Sequence, residues 1–289
     1  MSNFQIGGLT TQQVADLRKG LHYMNVSSAN FPAGEIRGQL LWNPTLEEDF
    51  FVKQHYYDFL QRIPDAAGLA YWTGRISECA SEVQCLRQRS VAVSNAFFFE
   101  LEYQQTGAYV FRLFRAAYGN EQPFPNPDPL NPKEANKLPS YDAYATLRAQ
   151  VVGGTDLVTG QQNAANALVN RPEFLARYPA NLSGSQFISA VLQNIKSANK
   201  VDLNAENSSL LAVYNSASSA TAGRAAVMYR LANDDLAGGN GGVNNRSFID
   251  AEYNRSFVVT QYFGYLRRDG DIDGILFWLG QVKIGRAHV

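Results

Sequence analysis

The sequence is poor in residues that carry metal and redox chemistry, with two cysteines and three histidines in 289 residues. His22, His55 and His288 stand at no metal-ligand spacing from one another or from a cysteine. Charge of either sign is not in excess: 25 basic against 26 acidic residues leave a net −1, which gives no electrostatic footprint for nucleic acid. No apolar run approaches the roughly 20 residues that cross a bilayer. The opening MSNFQIGGLTTQQ has neither the basic nor the apolar region of a signal peptide. No serine lies in G-x-S-x-G, and the GGNGG run from Gly238 has no phosphate-loop lysine. Catalytic and cofactor-binding residues are therefore expected to be none, with no cofactor.

What the chain does contain is a repeat. FVKQHYYDFLQRIPDAAGLAYWTGRI from Phe51 aligns without a gap on FVVTQYFGYLRRDGDIDGILFWLGQV from Phe257. Identical pairs are Phe51/Phe257, Val52/Val258, Tyr56/Tyr262, Leu60/Leu266, Arg62/Arg268, Asp65/Asp271, Gly68/Gly274, Trp72/Trp278 and Gly74/Gly280. In the first copy, Val52, Tyr56, Phe59, Leu60 and Ile63 form an apolar stripe with Leu46. Pro64 is expected to end that helix and Asp65 to cap the next. Gly68 then permits a close helix approach that Trp72 fills. The signature residues Asp65, Gly68, Trp72, Asp271, Gly274 and Trp278 thus read as structural, the tryptophans as core rather than as a ligand platform.

Asp269, Asp271 and Asp273 open a D-x-D-x-D-G sequence, but the twelfth position of an EF-hand loop, a bidentate glutamate, is Gly280 here. The expected metal site is none, with Asp271 a helix cap. Glu100 and Glu102 read as a solvated edge rather than an acid/base pair. Cys79 and Cys85 would lie about 9 Å apart in one continuous helix, beyond the ~7 Å limit on a bridge. A Cys79–Cys85 disulfide therefore requires a chain break, which Ser81-Glu82-Val83-Gln84 supplies if it acts as a capping box. Two separate buried thiols are the other reading; the disulfide is preferred, and it implies an oxidising compartment.

Along the chain, a short helix is expected over Leu9–Lys19, capped by Thr10 or Thr11, then two strands around an FPAG turn. Thr45-Leu46-Glu47-Glu48 should open the next helix. One long helix then carries Val83, Leu86, Val93, Phe97, Phe98 and Leu101, stopping near Gly107, with one of Phe97–Phe99 facing a neighbouring unit. Ala108–Tyr118 reads as amphipathic, with Gly119 as its stop. Six prolines between Glu121 and Pro139 make an extended connector. Helices are expected over Tyr141–Gln150, Gln161–Leu175, Ser185–Lys196, Asn207–Tyr214 and Thr221–Leu231. Units related to the repeat open near Phe51, Tyr109, Phe187 and Phe257.

Two resemblances follow. LHYMNVSSANFPAGEIRGQL, over residues 21–40, resembles the closing segment of a CHRD (chordin-type) domain. The aromatic helix followed by R-x-P-D-x-x-G-x-x-x-W resembles the bacterial family called domain of unknown function 4214, a helical family similar to phycobilisome linkers. That resemblance covers about Asp49–Tyr118 and Phe248–Lys283, and implies a secreted or cell-surface protein with no established activity. The last copy departs from it at Gly270, where proline is common.

The expected fold is mainly α: helical repeat units joined by a Pro-rich connector, with a small N-terminal β-hairpin. Its parts are residues 1–43 (CHRD-like fragment), 44–119 (first helical repeat region), 120–140 (linker), 141–256 (divergent helical region), 257–283 (truncated last copy) and 284–289. The last, IGRAHV, reads as a frame of a sequencing adapter and is set aside. The expected function is a non-catalytic, extracellular or cell-surface interaction or scaffolding module of a bacterial protein. The alternative is an accessory region of a secreted enzyme. The expected partner is an unidentified protein or cell-surface component, with no nucleic acid and no membrane span.

Overall fold

The structure, a computed structural model, describes residues 8–19, 21–26, 29–30, 32, 36–39, 47–79, 82–124, 137–234 and 239–282. The fold is mainly α. The short helix α1 (Thr11–Arg18) has a capping box in which Thr10 and Gln13 bond each other's backbone. It precedes an antiparallel hairpin of β1 (Tyr23–Val26) and β2 (Ile36–Gln39), paired from Tyr23↔Gln39 to Val26↔Ile36. Everything else described is helix and loop.

The helix α2 (Glu48–His55) runs on through a π turn, Tyr56–Leu60, and α3 spans Ala66–Ser77. Glu47 stands at the N-cap of α2 and makes no side-chain capping bond to that helix, and Thr45 and Leu46 lie outside the described residues. The expected long helix is broken: α4 (Val83–Phe99) stops where Glu100 turns extended, and α5 (Leu101–Gln105) and α6 (Gly107–Tyr118) follow. The break exposes Leu101, which one continuous helix was to have placed on the stripe with Phe97. At the start of α4 it is Glu82 that caps, accepting from the Gln84 and Cys85 N–H groups; Ser81 is outside the described residues.

The helix α6, expected to be amphipathic, is not: every residue from Gly107 to Tyr118 is buried, Arg112 and Arg115 included. A helix covered all round sits at the centre of a fold. It touches α5 and also α7 (Tyr141–Val152), α8 (Leu157–Val169), α10 (Gly184–Asn199), α12 (Ala220–Ala232) and α13 (Arg246–Gln261). Burial of two guanidiniums is offset by acceptors for all three Arg115 nitrogens and for two of the three of Arg112. Arg112 donates to the Ala232 and Gln104 carbonyls, both at 2.8 Å.

Helices from both sides of the proline-rich stretch therefore build one core around α6, from Tyr109 to Ile275. The two ends of that stretch, Gln122 and Leu138, are themselves buried; residues 125–136 lie outside the described ones. The single helix expected over Gln161–Leu175 is two. Arg171 is extended and Pro172, lacking an N–H, opens the short α9 (Pro172–Arg177) at the position where helices tolerate proline. The helix α11 (Asn207–Asn215) completes the outer layer.

A second, smaller cluster centres on the first repeat copy, with Val52, Tyr56, Phe59, Leu60, Phe97 and Phe98. Phe257 packs on both clusters. The last copy is α13, a second π turn at Tyr262–Leu266, and α14 (Ile272–Gln281).

Candidate functional site

Each copy of the repeat folds into the same corner. The first helix ends in a π turn, and the next residue, Gln61 or Arg267, is left-handed, with φ of 54° and 51°. In copy one the Arg62 N–H then bonds the Tyr56 carbonyl at 3.3 Å, one residue wider than a Schellman closure because the π turn has inserted a residue. The helix thus stops before Pro64, which was expected to stop it. This explains why the second copy makes the same corner with Gly270 in that place. Ile63, assigned to the apolar stripe, is 72% exposed because the chain has already turned away.

After the turn, Asp65 accepts from the Gly68 N–H at 2.8 Å and Asp271 from the Gly274 N–H at 2.6 Å. These are N-cap bonds of α3 and α14. The glycines are required by a close approach. A Cβ on Gly68 would stand 2.3 Å from the Tyr56 Oη, and one on Gly274 2.6 Å from the Tyr262 Oη. The tyrosine, repeated in both copies, fills the space that the tryptophan was expected to fill. Trp72 is half-buried against Phe97, at 5.6 Å between rings. Trp278 is not core: it is 52% exposed beside exposed Phe277 and Leu276.

The copies lie side by side. Phe59 and Tyr265 occupy the same repeat position, and their rings meet edge to face at 4.8 Å. Gly264 lies under Phe59, where a Cβ would be 2.1 Å from the ring. Asp58 pairs with Arg267 across the contact. Both Phe98 and Phe99 face the last copy, packing on Phe257 at 4.9 and 6.4 Å.

At this junction sits a residue that sequence reasoning passed over. His55 is 3% exposed; its Nδ1 is 2.8 Å from the Phe51 carbonyl and its Nε2 is 2.6 Å from Ser94 Oγ and 3.0 Å from Tyr265 Oη. The carbonyl fixes the proton on Nδ1, so Nε2 accepts from Ser94 Oγ, which in turn accepts from the Tyr265 hydroxyl. Burial holds the imidazole below its ordinary pKa, despite the Phe51 carbonyl and the Asp58 carboxylate, which pull the other way. A serine hydroxyl on Nε2 is also half of a nucleophilic arrangement. Here no carboxylate bonds Nδ1, and the serine is tied to Tyr265 at 2.9 Å. The cluster fastens α2, α4 and the second π turn. Its signal in the sequence was a histidine among Phe51, Val52 and Phe59 on an apolar face.

The remaining candidates have separate tasks. Asp269 accepts from the Tyr141 N–H, Asp271 caps α14, and Asp273 is exposed on its first turn. Among the described residues no group of three or more His, Cys, Asp or Glu side chains is placed to hold a metal. Glu102 grips Arg62 with both oxygens, at 2.6 and 2.7 Å, so it is a bridge from α5 to the corner rather than a solvated edge. Cys79 and Cys85 form a disulfide across the α3–α4 turn, with Cα atoms 5.5 Å apart.

A groove of about 730 Å³ opens beside the second corner, lined by Val258, Tyr262, Leu266 and Trp278, with Asn95 of α4 among its other walls. No described helix is long and apolar enough to cross a membrane. No curated protein and no solved structure matches the chain. One family model does: residues 3–40, which include α1 and both strands, match the CHRD domain.

Proposed function

We propose that this chain is a non-catalytic interaction or scaffolding module of an exported bacterial protein, its helical part related to the domain of unknown function 4214. One observation carries the reading: the residues repeated between copies are used to build a corner. Asp65 and Asp271 cap, Gly68 and Gly274 admit a tyrosine, and Arg62 and Arg268 lie over that tyrosine's ring, at 4.8 and 5.5 Å. Duplication has kept architecture, not a reactive group. The CHRD match over residues 3–40 and the disulfide support an extracellular or cell-surface location, since disulfides persist in oxidising compartments. The complete open reading frame tests the proposal. A signal peptide with further binding modules and no catalytic motif is the expected result. A hydrolase or peptidase domain in the same frame would replace it with the reading of an accessory region of a secreted enzyme.

A further inference from the structure

The groove on the second corner has a counterpart in the first, where α4 leaves a smaller opening of about 420 Å³. In copy one α4 lies across the corner: Phe97 meets Tyr56 edge to face at 5.0 Å and Trp72 at 5.6 Å. Five residues beyond Phe97, Glu102 holds Arg62 through both carboxylate oxygens. Under this cover Tyr56 and Leu60 are each 4% exposed. In copy two Tyr262 is 8% exposed, but Leu266 and Trp278 are each 52% exposed and border open space. Arg268 is set over the Tyr262 ring as Arg62 is over Tyr56, yet no described carboxylate forms an ion pair with it. The same receptor surface is thus present twice, and only one copy has its apolar and its charged complement.

We propose that the second groove docks a helix from a partner protein with the chemistry of α4: a valine and a phenylalanine four residues apart, as Val93 and Phe97 are, and a glutamate five residues further on. This deepens, and rests on, the reading of the chain as an interaction module. The phenylalanine inserts between Tyr262 and Trp278, and the glutamate neutralises Arg268. Charge complementarity selects this partner over a merely greasy helix, because a bidentate arginine–carboxylate pair has a fixed geometry. The helix comes from a different chain. The α4 of any copy of this protein already packs on its own corner, so the docking helix is supplied by a partner.

The test is calorimetric titration of the intact chain with a synthetic peptide of the sequence of residues 83–102. Expected is saturable one-to-one binding that Arg268→Glu weakens by about tenfold or more, since it turns attraction into repulsion. A peptide with Glu102→Lys should lose as much against the natural chain and regain most of it against Arg268→Glu. The control Arg62→Glu should leave peptide affinity unchanged, and thermal melts should show that Arg268→Glu, at an exposed position, is folded. No saturable binding, or binding indifferent to Arg268→Glu, overturns the proposal. So does sedimentation showing a dimer that Arg268→Glu dissolves, because a second copy would then occupy the groove. None of these failures touches the module reading, which falls only to a catalytic domain in the complete frame.

Discussion

The buried ion network between α6 and α13 offers the sharpest stability test. Arg115 and Glu252 are both 0% exposed, and Nε stands 2.8 Å from Oε1. Arg115 also donates to the Gly119 carbonyl, to the Lys137 carbonyl at 2.6 Å and to Asn120 Oδ1 at 3.0 Å, tying both ends of the proline-rich stretch to the central helix. Arg255 reaches the other oxygen of Glu252 at 2.9 Å. Glu252→Gln keeps the shape and an acceptor oxygen but leaves the Arg115 charge without its counter-charge. Removing one member of a buried pair costs about 3–5 kcal/mol. Because the amide oxygen still accepts, the expected loss lies at the lower end, about 3 kcal/mol. The exposed Asp49–Lys53 pair, with side chains 52% and 43% exposed, sets the contrast, since such pairs contribute under about 1 kcal/mol. Guanidinium denaturation of the intact chain at neutral pH, followed by circular dichroism and tryptophan emission, reads the difference as a midpoint shift at constant slope. Acid supplies a second handle. Burial alone would raise the Glu252 carboxyl, but the Arg115 and Arg255 guanidiniums outweigh it and hold the group below its ordinary value. Its contribution is therefore present above the unfolded carboxyl pKa of about 4.3 and is lost as pH falls through the depressed folded one. The gap between the natural chain and Glu252→Gln should narrow in that range. A loss below about 1 kcal/mol would place the pair with surface pairs. That result, or two separate transitions of which only one responds, would refute a single core around α6.

Other outcomes follow from the same structure. His55 is disfavoured as a cation by burial, so stability should fall as pH drops below the unfolded histidine value of about 6.5, where only the unfolded chain takes up the proton. His55→Gln should flatten the stability profile between neutral pH and about 5, and an unchanged slope would show that His55 is not the group responsible. Opening the Cys79–Cys85 bridge should cost about 2 kcal/mol for so short a loop. Labelling the unreduced, unfolded protein should find no free thiol, and two labelled cysteines would count against the bond. Trp72→Ala should destabilise by about 2 kcal/mol and Trp278→Ala by less than about 1 kcal/mol, read from thermal melts, because only the first ring is packed. Equal losses would mean that the second groove is covered in solution.

The sequence made the corner legible because its bonds are local. An aspartate three residues before a glycine fixes a cap whatever surrounds it, and both copies make that bond. Most helix positions and the mainly α class were legible for the same reason, through caps, glycines and prolines. The way each corner's first helix ends was not: a left-handed Gln61 or Arg267 after a π turn carries no glycine or proline to announce it. The break between α4 and α5 was equally silent, since Glu100 in extended conformation is a choice of packing rather than of propensity.

What only the tertiary structure decided is which faces are covered. Trp72 and Trp278 are the same residue in the same local pattern, yet one is packed and the other is half in solvent, because α4 crosses the first corner and nothing described crosses the second. An amphipathic α6 was expected, but Ala232, Gln104 and Glu252, distant in sequence or on neighbouring helices, give Arg112 and Arg115 acceptors inside the core. A backbone turn needs only its own few residues. Burial needs partners from elsewhere in the chain, and spacing along the sequence does not say which partners arrive.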